Sequence, residues 1–326
     1  MIDPSKPAPL RVVFLDRATL GPTVMLPPLA VAHEFTSFDA TPASLIEARI
    51  ADADIVITNK TPLGEAAIAA SPKLRLIAIA ATGTDVVDLA ACRARGVAVC
   101  NIRGYALHTV PEHTFALILA LRRNLLAYRA SVAAGRWQQA GQFCYFDFPV
   151  RDLAGATLGV FGRGALGSAV AKLGQAFGMQ VIFAGRKGDE AAREGYVPFD
   201  EVLRRADVIT LHCPLTPATR HLIGALEFAR MARRPLLINT GRGGLVDELA
   251  LGEALRAGQI SGAGFDVAST EPPPPDHPLL ALLDLPNFIL TPHVAWASEE
   301  AMQVLADQLI GNIDAFLADE PRNLVQ

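Results

Sequence analysis

Short apolar segments alternate with helical patterns along the whole chain, and this alternation is the feature that most restricts the possible folds. A strand, a helix and a second strand form the unit from which parallel sheets are built. In the second half of the chain the apolar segments lie at residues 157–161, 180–184, 207–212, 235–240, 262–266 and 287–291. Six strands separated by helices predict a complete doubly wound domain.

The first half of the chain carries a shorter series of the same kind. Its apolar segments lie at residues 11–15, 54–58, 74–80 and 97–100. Nearly continuous apolar runs are expected of strands that helices cover on both faces. A helical pattern at 110–130 separates the two series, and Ser298 is placed to cap a last helix at 299–318. The predicted fold class is α/β, with two doubly wound parallel-sheet domains.

Composition narrows the class of protein. The chain has 326 residues, enough for two domains, and 51% of them are hydrophobic. A net charge of -4 gives no basic surface for nucleic acid, and no stretch reaches the ~18 uncharged residues of a membrane helix. The four cysteines lack the paired spacing of a metal site and predict buried thiols in a reducing compartment. We therefore expect a cytoplasmic protein without a metal centre, and neither nucleic acid nor membrane as partner.

One glycine-rich turn carries the pattern of a dinucleotide site. Its glycines form GxGxxG directly after the segment that ends at Phe161. The pattern alone is weak in a chain with 26 glycines, but its place between a strand and a helix strengthens it. The first glycine permits a tight turn, the second lets the backbone approach a pyrophosphate, and the third lets helix and strand touch. The predicted cofactor contacts in this turn are Gly162, Arg163, Gly164, Ala165, Leu166 and Gly167.

The next strand ends where the adenosine ribose of such a cofactor lies. An acidic residue there accepts hydrogen bonds from the ribose hydroxyls and selects NAD, whereas this chain has Gly185, Arg186 and Lys187. Arg186 can bind a 2′-phosphate through two parallel hydrogen bonds. The sequence therefore favours NADP(H), with Arg186 and Lys187 among the cofactor contacts. NAD(H) stays possible if the basic pair is only a solvated turn and Asp189 or Glu190 turns toward the ribose.

Three charged side chains follow successive predicted strands, at the sheet edge where ligands bind. They are Arg242 in a glycine-rich turn, Glu271 before a proline, and His293 after the last strand. Carbonyl reduction needs a cation that binds the substrate carboxylate and polarises the carbonyl, and an acid that protonates the forming alkoxide. Histidine suits the second role, and a neighbouring carboxylate orients it and keeps it protonated. Arg242, His293 and Glu271 are the predicted catalytic residues; His277 precedes a helix and is rejected.

Taken together, these segments resemble the D-isomer-specific 2-hydroxyacid dehydrogenase family. The resemblance extends from about Val12 to Val325. The segments that carry it are ATGTDVVD (81–88), GRGALG (162–167), NTGRGGLVDE (239–248), GFDVASTEP (264–272) and TPHVAW (291–296). Within the family, HTVPEHTFALILALRRNL and TPHVAWAS most resemble the glycerate dehydrogenases and hydroxypyruvate reductases.

The resemblance implies a domain division and further site residues. It implies a flavodoxin-like substrate-binding domain, residues 1–101 and 297–326, into which a Rossmann NAD(P)-binding domain, residues 102–296, is inserted. It implies that Asp266 holds the nicotinamide carboxamide, and that backbone amides of a glycine loop meet the substrate carboxylate. The predicted substrate contacts are Thr82, Gly83, Thr84, Arg242 and His293. The remaining predicted cofactor contacts are Cys213, Pro214, Thr240 and Gly241.

The family is usually dimeric through its cofactor domains, which implies a homodimer. That favours a subunit interface over local loop packing for the aromatic-rich stretch 136–149. Trp296 and the loop at Asn59 and Lys60 are predicted pocket walls. The predicted reaction is reduction of hydroxypyruvate or glyoxylate to D-glycerate or glycolate. The alternatives are a dehydrogenase for another small acid, of the 2-ketogluconate type, and an NAD(H)-sensing binding protein.

Overall fold

The computed structural model describes residues 9–189 and 193–325. These residues fall into two compact units. The first is the chain up to Tyr105 together with the chain from Ala297 onward, and the second is Ala106–Trp296. Among the helices of the described ranges, none combines the length and the apolar character that crossing a membrane requires.

Strands and helices alternate in both units, as the pattern of apolar segments predicts. The strands are β1 (Leu10–Phe14), β2 (His33–Ser37), β3 (Ile55–Thr58), β4 (Leu76–Ile79), β5 (Ala98–Cys100), β6 (Thr157–Phe161), β7 (Gln180–Phe183), β8 (Val208–Leu211), β9 (Leu236–Asn239), β10 (Gly262–Phe265) and β11 (Phe288–Leu290). The helices are α1 (Ile46–Ile50), α2 (Glu65–Ala69), α3 (Leu89–Arg95), α4 (Thr109–Arg122), α5 (Leu125–Ala133), α6 (Arg136–Ala140), α7 (Ala165–Ala176), α8 (Phe199–Arg205), α9 (Ala225–Arg230), α10 (Glu248–Arg256) and α11 (Glu299–Leu317). Every predicted strand overlaps an observed one.

The first unit contains a five-stranded parallel sheet in the order β2-β1-β3-β4-β5. This is the flavodoxin-like doubly wound order, so the predicted fold class is confirmed. β2 was not predicted, because its sequence, HEFTS, is polar and most of its side chains are exposed. It lies at the edge of the sheet, where a strand gains its backbone hydrogen bonds from β1 without needing a buried apolar face.

The second unit contains a six-stranded parallel sheet in the order β11-β10-β9-β8-β6-β7. Chain order reverses between β6 and β8, which makes their carboxyl ends the point where a doubly wound sheet binds its ligand. Beyond β7 the chain pairs once more, through a single parallel bridge between Ala184 and Val197. The Rossmann architecture is therefore confirmed, with the strand outside β7 reduced to that one bridge.

The predicted helix at 110–130 is two helices in the structure. α4 ends at Arg122 and α5 begins at Leu125, because Asn124 between them takes a left-handed conformation with φ of 50°. Asparagine tolerates this conformation better than most residues, and the periodicity of apolar positions carries no trace of it. α4 buries Phe115, Ile118 and Leu121 against the sheet of the second unit, where they join a core cluster with strand residues of β6 and β9.

His212 follows β8 and should make the stability of the second unit depend on pH. Its Nε2 atom lies 2.9 Å from the Thr210 hydroxyl, and burial lowers its pKa from 6.5 to about 4. Between these values the unfolded chain binds a proton that the folded chain does not, so stability falls as the pH falls. We expect the free energy of unfolding to drop by roughly 2–3 kcal/mol between pH 6.5 and 4 from this residue.

Urea unfolding at a series of pH values measures this dependence. His212→Gln should remove most of the decrease, whereas His108→Gln, at an exposed position, should leave it unchanged. Equal pH dependence in the wild type and in His212→Gln would show that His212 is not the group responsible.

Candidate active site

The glycine turn after β6 has the geometry that a close phosphate approach requires. Gly162 has φ of 102°, and a Cβ atom there would lie 2.6 Å from the His212 carbonyl oxygen. A Cβ atom on Gly167 would overlap the Gly162 carbonyl oxygen, so the start of α7 touches the turn directly. A Cβ atom on Gly164 would meet nothing within 4 Å, so this glycine faces open space. The first turn of α7 has no side-chain cap among the described residues, which leaves its N–H groups for a ligand.

A cavity of about 530 Å³ lies beside this turn, at the carboxyl ends of β6, β7 and β8. The predicted cofactor residues in its lining are Gly162, Arg163, Arg186, Lys187, Cys213 and Pro214. The other members of the glycine turn, Gly164 to Gly167, lie next to it in sequence but do not line this cavity. The cavity, the open glycine and the uncapped helix together fit a dinucleotide whose pyrophosphate rests on the helix N-terminus.

The basic residues around the cavity differ in how far they are already engaged. The Lys187 ammonium lies 3.0 Å from a carboxylate oxygen of the buried Glu227. The Arg163 guanidinium stacks over Phe183, with 4.7 Å between its central carbon and the ring centroid. The Arg186 side chain forms no ion pair with any described residue. Of the two acids that could meet a ribose, Asp189 lines the cavity, and Glu190 lies outside the described residues.

Thr240 and Asp266 are engaged within the protein. The Thr240 hydroxyl lies 3.1 Å from the Thr114 hydroxyl of α4, and Thr240 is 9% exposed. Asp266 is 1% exposed, and its carboxylate accepts hydrogen bonds from the Thr291 hydroxyl and from the backbone N–H groups of Val294 and Ala295. The Asp266 carboxylate therefore holds the turn on either side of His293, a contact that the sequence did not indicate.

His293 and Glu271 form a direct pair. The Nδ1 atom of His293 lies 2.6 Å from a carboxylate oxygen of Glu271, and both side chains remain partly accessible. The other carboxylate oxygen of Glu271 accepts the backbone N–H of Ala268 at 3.0 Å. His293 itself has a left-handed backbone with φ of 55°, and the Trp296 indole N–H donates to its carbonyl oxygen. These contacts orient the imidazole so that Nε2 is the ring nitrogen that can exchange a proton with a ligand.

Arg242 lies in the turn after β9, next to the turn that carries Glu271. Its guanidinium donates to the carbonyl oxygen of Gly241 at 2.8 Å, and its side chain is exposed. A Cβ atom on Gly243 would overlap the backbone of Ala268 and Ser269. The turn after β9 therefore packs backbone to backbone against the turn after β10, as expected for neighbouring parallel strands whose carboxyl ends share one edge.

The predicted substrate residues Thr82, Gly83 and Thr84 lie in the first unit, after β4. The Thr82 hydroxyl donates to the Ile102 carbonyl oxygen at 2.8 Å, and the Thr84 carbonyl accepts the backbone N–H of Val87 at 3.0 Å. In the same unit, the buried carboxylate of Asp16 accepts the backbone N–H groups of Asn59, Lys60 and Thr61 at 2.7–2.9 Å. This carboxylate fixes the loop at Asn59 and Lys60, which is the predicted pocket wall.

Two polar clusters near the site were not predicted. In one, the His113 Nε2 atom lies 3.0 Å from the Thr291 hydroxyl and 3.6 Å from Asp266. In the other, His277 and Glu248 are both buried and lie 3.2 Å apart. His113 lies in a predicted helical stretch, where a polar residue ordinarily faces solvent. A polar side chain on an otherwise apolar helix face was the available signal for His113.

Comparison with known proteins places these features in a family. The family model described as D-isomer specific 2-hydroxyacid dehydrogenase, NAD binding domain, matches residues 115–295. A glycerate dehydrogenase of Methylorubrum extorquens is 50% identical over 97% of this chain and 99% of its own length. A Thermus thermophilus protein of known crystal structure superposes with a TM-score of 0.83 at 34% identity, covering 97% of this chain and all of that one. An NADPH-dependent glyoxylate/hydroxypyruvate reductase of Sinorhizobium meliloti superposes with a TM-score of 0.79 at 29% identity, covering 97% of each chain.

Proposed function

The chain belongs to the D-isomer-specific 2-hydroxyacid dehydrogenase family, and from that premise we propose that it reduces hydroxypyruvate or glyoxylate to D-glycerate or glycolate. The observation that carries the proposal is the His293–Glu271 pair, 2.6 Å apart at the carboxyl edge of the sheet, with Arg242 in the adjacent turn. The names of the relatives support the choice of substrate, since one is a glycerate dehydrogenase and another a glyoxylate/hydroxypyruvate reductase.

The residues divide the work of carbonyl reduction. Bound nicotinamide supplies the hydride. Arg242 binds the substrate carboxylate and polarises the carbonyl that accepts the hydride, because its guanidinium is a fixed cation with several N–H donors. His293 delivers a proton from Nε2 to the carbonyl oxygen, since Nδ1 is bonded to Glu271. Glu271 holds the ring in this orientation through that contact. The backbone amides of Thr82, Gly83 and Thr84 are proposed as further contacts of the substrate carboxylate.

The glycine turn and the cavity beside it would hold the cofactor. The backbone of Gly162 to Gly167 and the N-terminus of α7 would bind the pyrophosphate. Cys213 and Pro214 line the cavity and would contact the adenosine half. The backbone at Thr240 and Gly241, together with Asp266, is proposed to meet the nicotinamide half. The Thr240 hydroxyl and the Asp266 carboxylate already have hydrogen-bond partners within the protein. Any contact that they make with the cofactor would be additional to those bonds.

We propose NADP(H) as the preferred cofactor. Arg186 is the support for this choice, because it lines the cavity and no described carboxylate pairs with it. No acidic residue directly follows β7, where a carboxylate would repel a 2′-phosphate. Lys187 contributes less than the sequence suggested, since its ammonium is held by Glu227. Arg163 lines the same cavity and adds a positive charge near the phosphates.

We propose a homodimer that forms through the segment around α5 and α6. Large apolar side chains are exposed there, including Phe143 at 89% and Phe146 at 87%. Aromatic residues of this kind are enriched at subunit interfaces. Tyr145 and Phe148, by contrast, pack on Tyr128 within the same chain. The aromatic stretch thus has an inward-facing part and an outward-facing part, and the second is the proposed interface.

A cytoplasmic location agrees with the state of the thiols. All four cysteines are free, and Cys92 and Cys100 are buried. Burial raises the pKa of Cys92 to about 11 and that of Cys100 to about 12, so both stay protonated and unreactive at neutral pH. Free, buried thiols are typical of proteins from a reducing compartment.

Replacing His293 tests the proposed reaction. His293→Asn removes the proton donor, and we expect the turnover number with hydroxypyruvate and NADPH to fall by roughly a hundredfold or more. The dissociation constant of NADPH, measured by fluorescence, should change less than twofold, because the cavity beside the glycine turn is untouched. Glu271→Gln should show the same separation with a smaller loss.

A panel of 2-keto acids decides between the alternatives. Turnover of a 2-ketogluconate-type acid far above that of hydroxypyruvate would contradict the proposed substrate. If the wild type and His293→Asn both bind NAD(P)H and neither turns over any keto acid, the protein is a sensing protein.

Replacing Arg186 tests the cofactor preference. Arg186→Ala should raise the dissociation constant of NADPH roughly tenfold to a hundredfold, the usual effect of losing a charged hydrogen bond, and leave that of NADH within twofold. Lys187→Gln is the matched control, because that ammonium is already paired with Glu227. Equal weakening of both cofactors by Arg186→Ala would remove the case for NADP(H).

Replacing two exposed phenylalanines tests the proposed dimer. Light scattering after size exclusion should give twice the chain mass for the wild type. The double variant Phe143→Asp and Phe146→Asp should give the mass of one chain, because charges replace the apolar contact. A wild type that runs as one chain at micromolar concentration would refute the homodimer.

A further inference from the structure

We infer that Glu248 and His277 are positioning residues that hold the turn 268–271 and thereby set the place where Glu271 meets His293. The inference rests on the proposed catalytic function of His293 and Glu271. His277 is not a predicted catalytic residue. Among the buried polar residues without a role in the proposed reaction, it is the nearest to Glu271 in sequence.

The Glu248 carboxylate accepts two hydrogen bonds from Ser269. Glu248 is the first residue of α10 and is 7% exposed. One of its carboxylate oxygens accepts the backbone N–H of Ser269 at 2.7 Å, and the other accepts the Ser269 hydroxyl at 2.6 Å. Hydrogen bonds to an ionised acceptor are shorter and stronger than neutral ones. Both donors of Ser269 are therefore fixed to the end of a helix that packs in the core of the second unit.

His277 completes the cluster from the other side. Its Nδ1 atom accepts the backbone N–H of Leu279 at 3.3 Å, so the ring proton is on Nε2. Nε2 lies 3.2 Å from the Glu248 carboxylate and 3.1 Å from the Ser269 hydroxyl. Burying a carboxylate costs free energy unless hydrogen-bond donors surround it. Ser269 has only two donors, its backbone N–H and its hydroxyl, and the Nε2–H of His277 supplies a third. The two side chains thus form one closed cluster with Ser269.

The cluster lies two residues from Glu271 along the chain. The backbone N–H of Ala268 donates to a Glu271 carboxylate oxygen, so the backbone of the turn orients that side chain directly. The Ala268–Ser269 backbone also lies against Gly243, where no Cβ atom would fit. The turn is therefore held by two supports, the backbone at Gly243 and the side chains of Glu248 and His277. Loss of the second support should displace Glu271, and misplacement of a catalytic group by about 1 Å can cost roughly a hundredfold in rate.

Variants at His277 separate positioning from simple structural support. His277→Leu removes the Nε2 donor, and we expect the turnover number with hydroxypyruvate to fall between roughly tenfold and a hundredfold. The KM for hydroxypyruvate and the dissociation constant of NADPH should change less than about threefold. His277→Gln keeps an N–H donor near the same place and should recover most of the turnover number. Glu253→Gln, on the exposed face of α10, is the matched control and should behave as the wild type.

Ser269→Ala keeps the experiment decisive if His277→Leu does not fold. This variant removes the hydroxyl that contacts Glu248 and His277 and keeps the backbone bond from Ser269 to Glu248, and we expect the turnover number to fall by about threefold to tenfold. An unchanged turnover number in folded His277→Leu and in Ser269→Ala would overturn the inference. Loss of turnover in His277→Leu that His277→Gln does not restore would overturn it as well.

A measurement without substrate separates this inference from the proposed function. The Nδ1 proton of His293, which is hydrogen-bonded to Glu271, should give a low-field proton NMR signal that is absent in His293→Asn. If Glu248 and His277 position Glu271, this signal should broaden or vanish in His277→Leu and persist in His277→Gln and Glu253→Gln. An inactive wild type would refute the proposed reaction and leave this readout in place, whereas an unaltered signal in His277→Leu would refute the positioning role alone.

Discussion

The buried carboxylate of Asp266 is the contact on which the arrangement of the active site depends. Asp266 directly follows β10, and its carboxylate accepts three hydrogen bonds from the turn after β11, so it fixes that turn and its histidine to the neighbouring strand. His293 takes a left-handed backbone conformation, which residues other than glycine adopt at some cost and only where their surroundings impose it. The bonds to Asp266 before and after His293 supply that constraint. The 2.6 Å approach to Glu271 is a consequence of this fixed backbone.

The sequence predicted the sheets well and the supports of the active site poorly. Parallel strands such as β6 and β9 are continuous apolar runs, and their carboxyl ends share one edge by the logic of the fold, so the residues after them could be grouped in advance. β2 escaped because an edge strand needs backbone partners and not an apolar face. The break at Asn124 escaped because a single left-handed residue leaves the helical periodicity intact. Both depend on the backbone, which the pattern of apolar residues does not record.

The clusters around Glu248 and around His113 escaped for another reason. Their partners are far apart in sequence, such as His113 with Thr291 and Glu248 with His277. Nothing in local spacing relates such pairs, and only the paired turns of the folded sheet bring them together. Lys187 illustrates the same limit: its position predicts a phosphate contact, and nothing in the local sequence indicates that the buried Glu227, forty residues later, pairs with its ammonium. A partner that is distant in sequence can therefore change what a motif residue is able to bind, although the motif itself is unchanged.

The backbone contact between Gly243 and the Ala268–Ser269 peptide has a consequence for attempts to redesign the enzyme. Two loops that press on each other at the main chain cannot be varied independently. A longer turn after β9, inserted to reshape the pocket around Arg242, would push the neighbouring turn outward and carry Glu271 with it. Libraries aimed at new substrates should therefore keep the lengths of both turns and vary side chains that point away from this junction. Engineered diversity in this unit is limited by main-chain geometry before it is limited by chemistry.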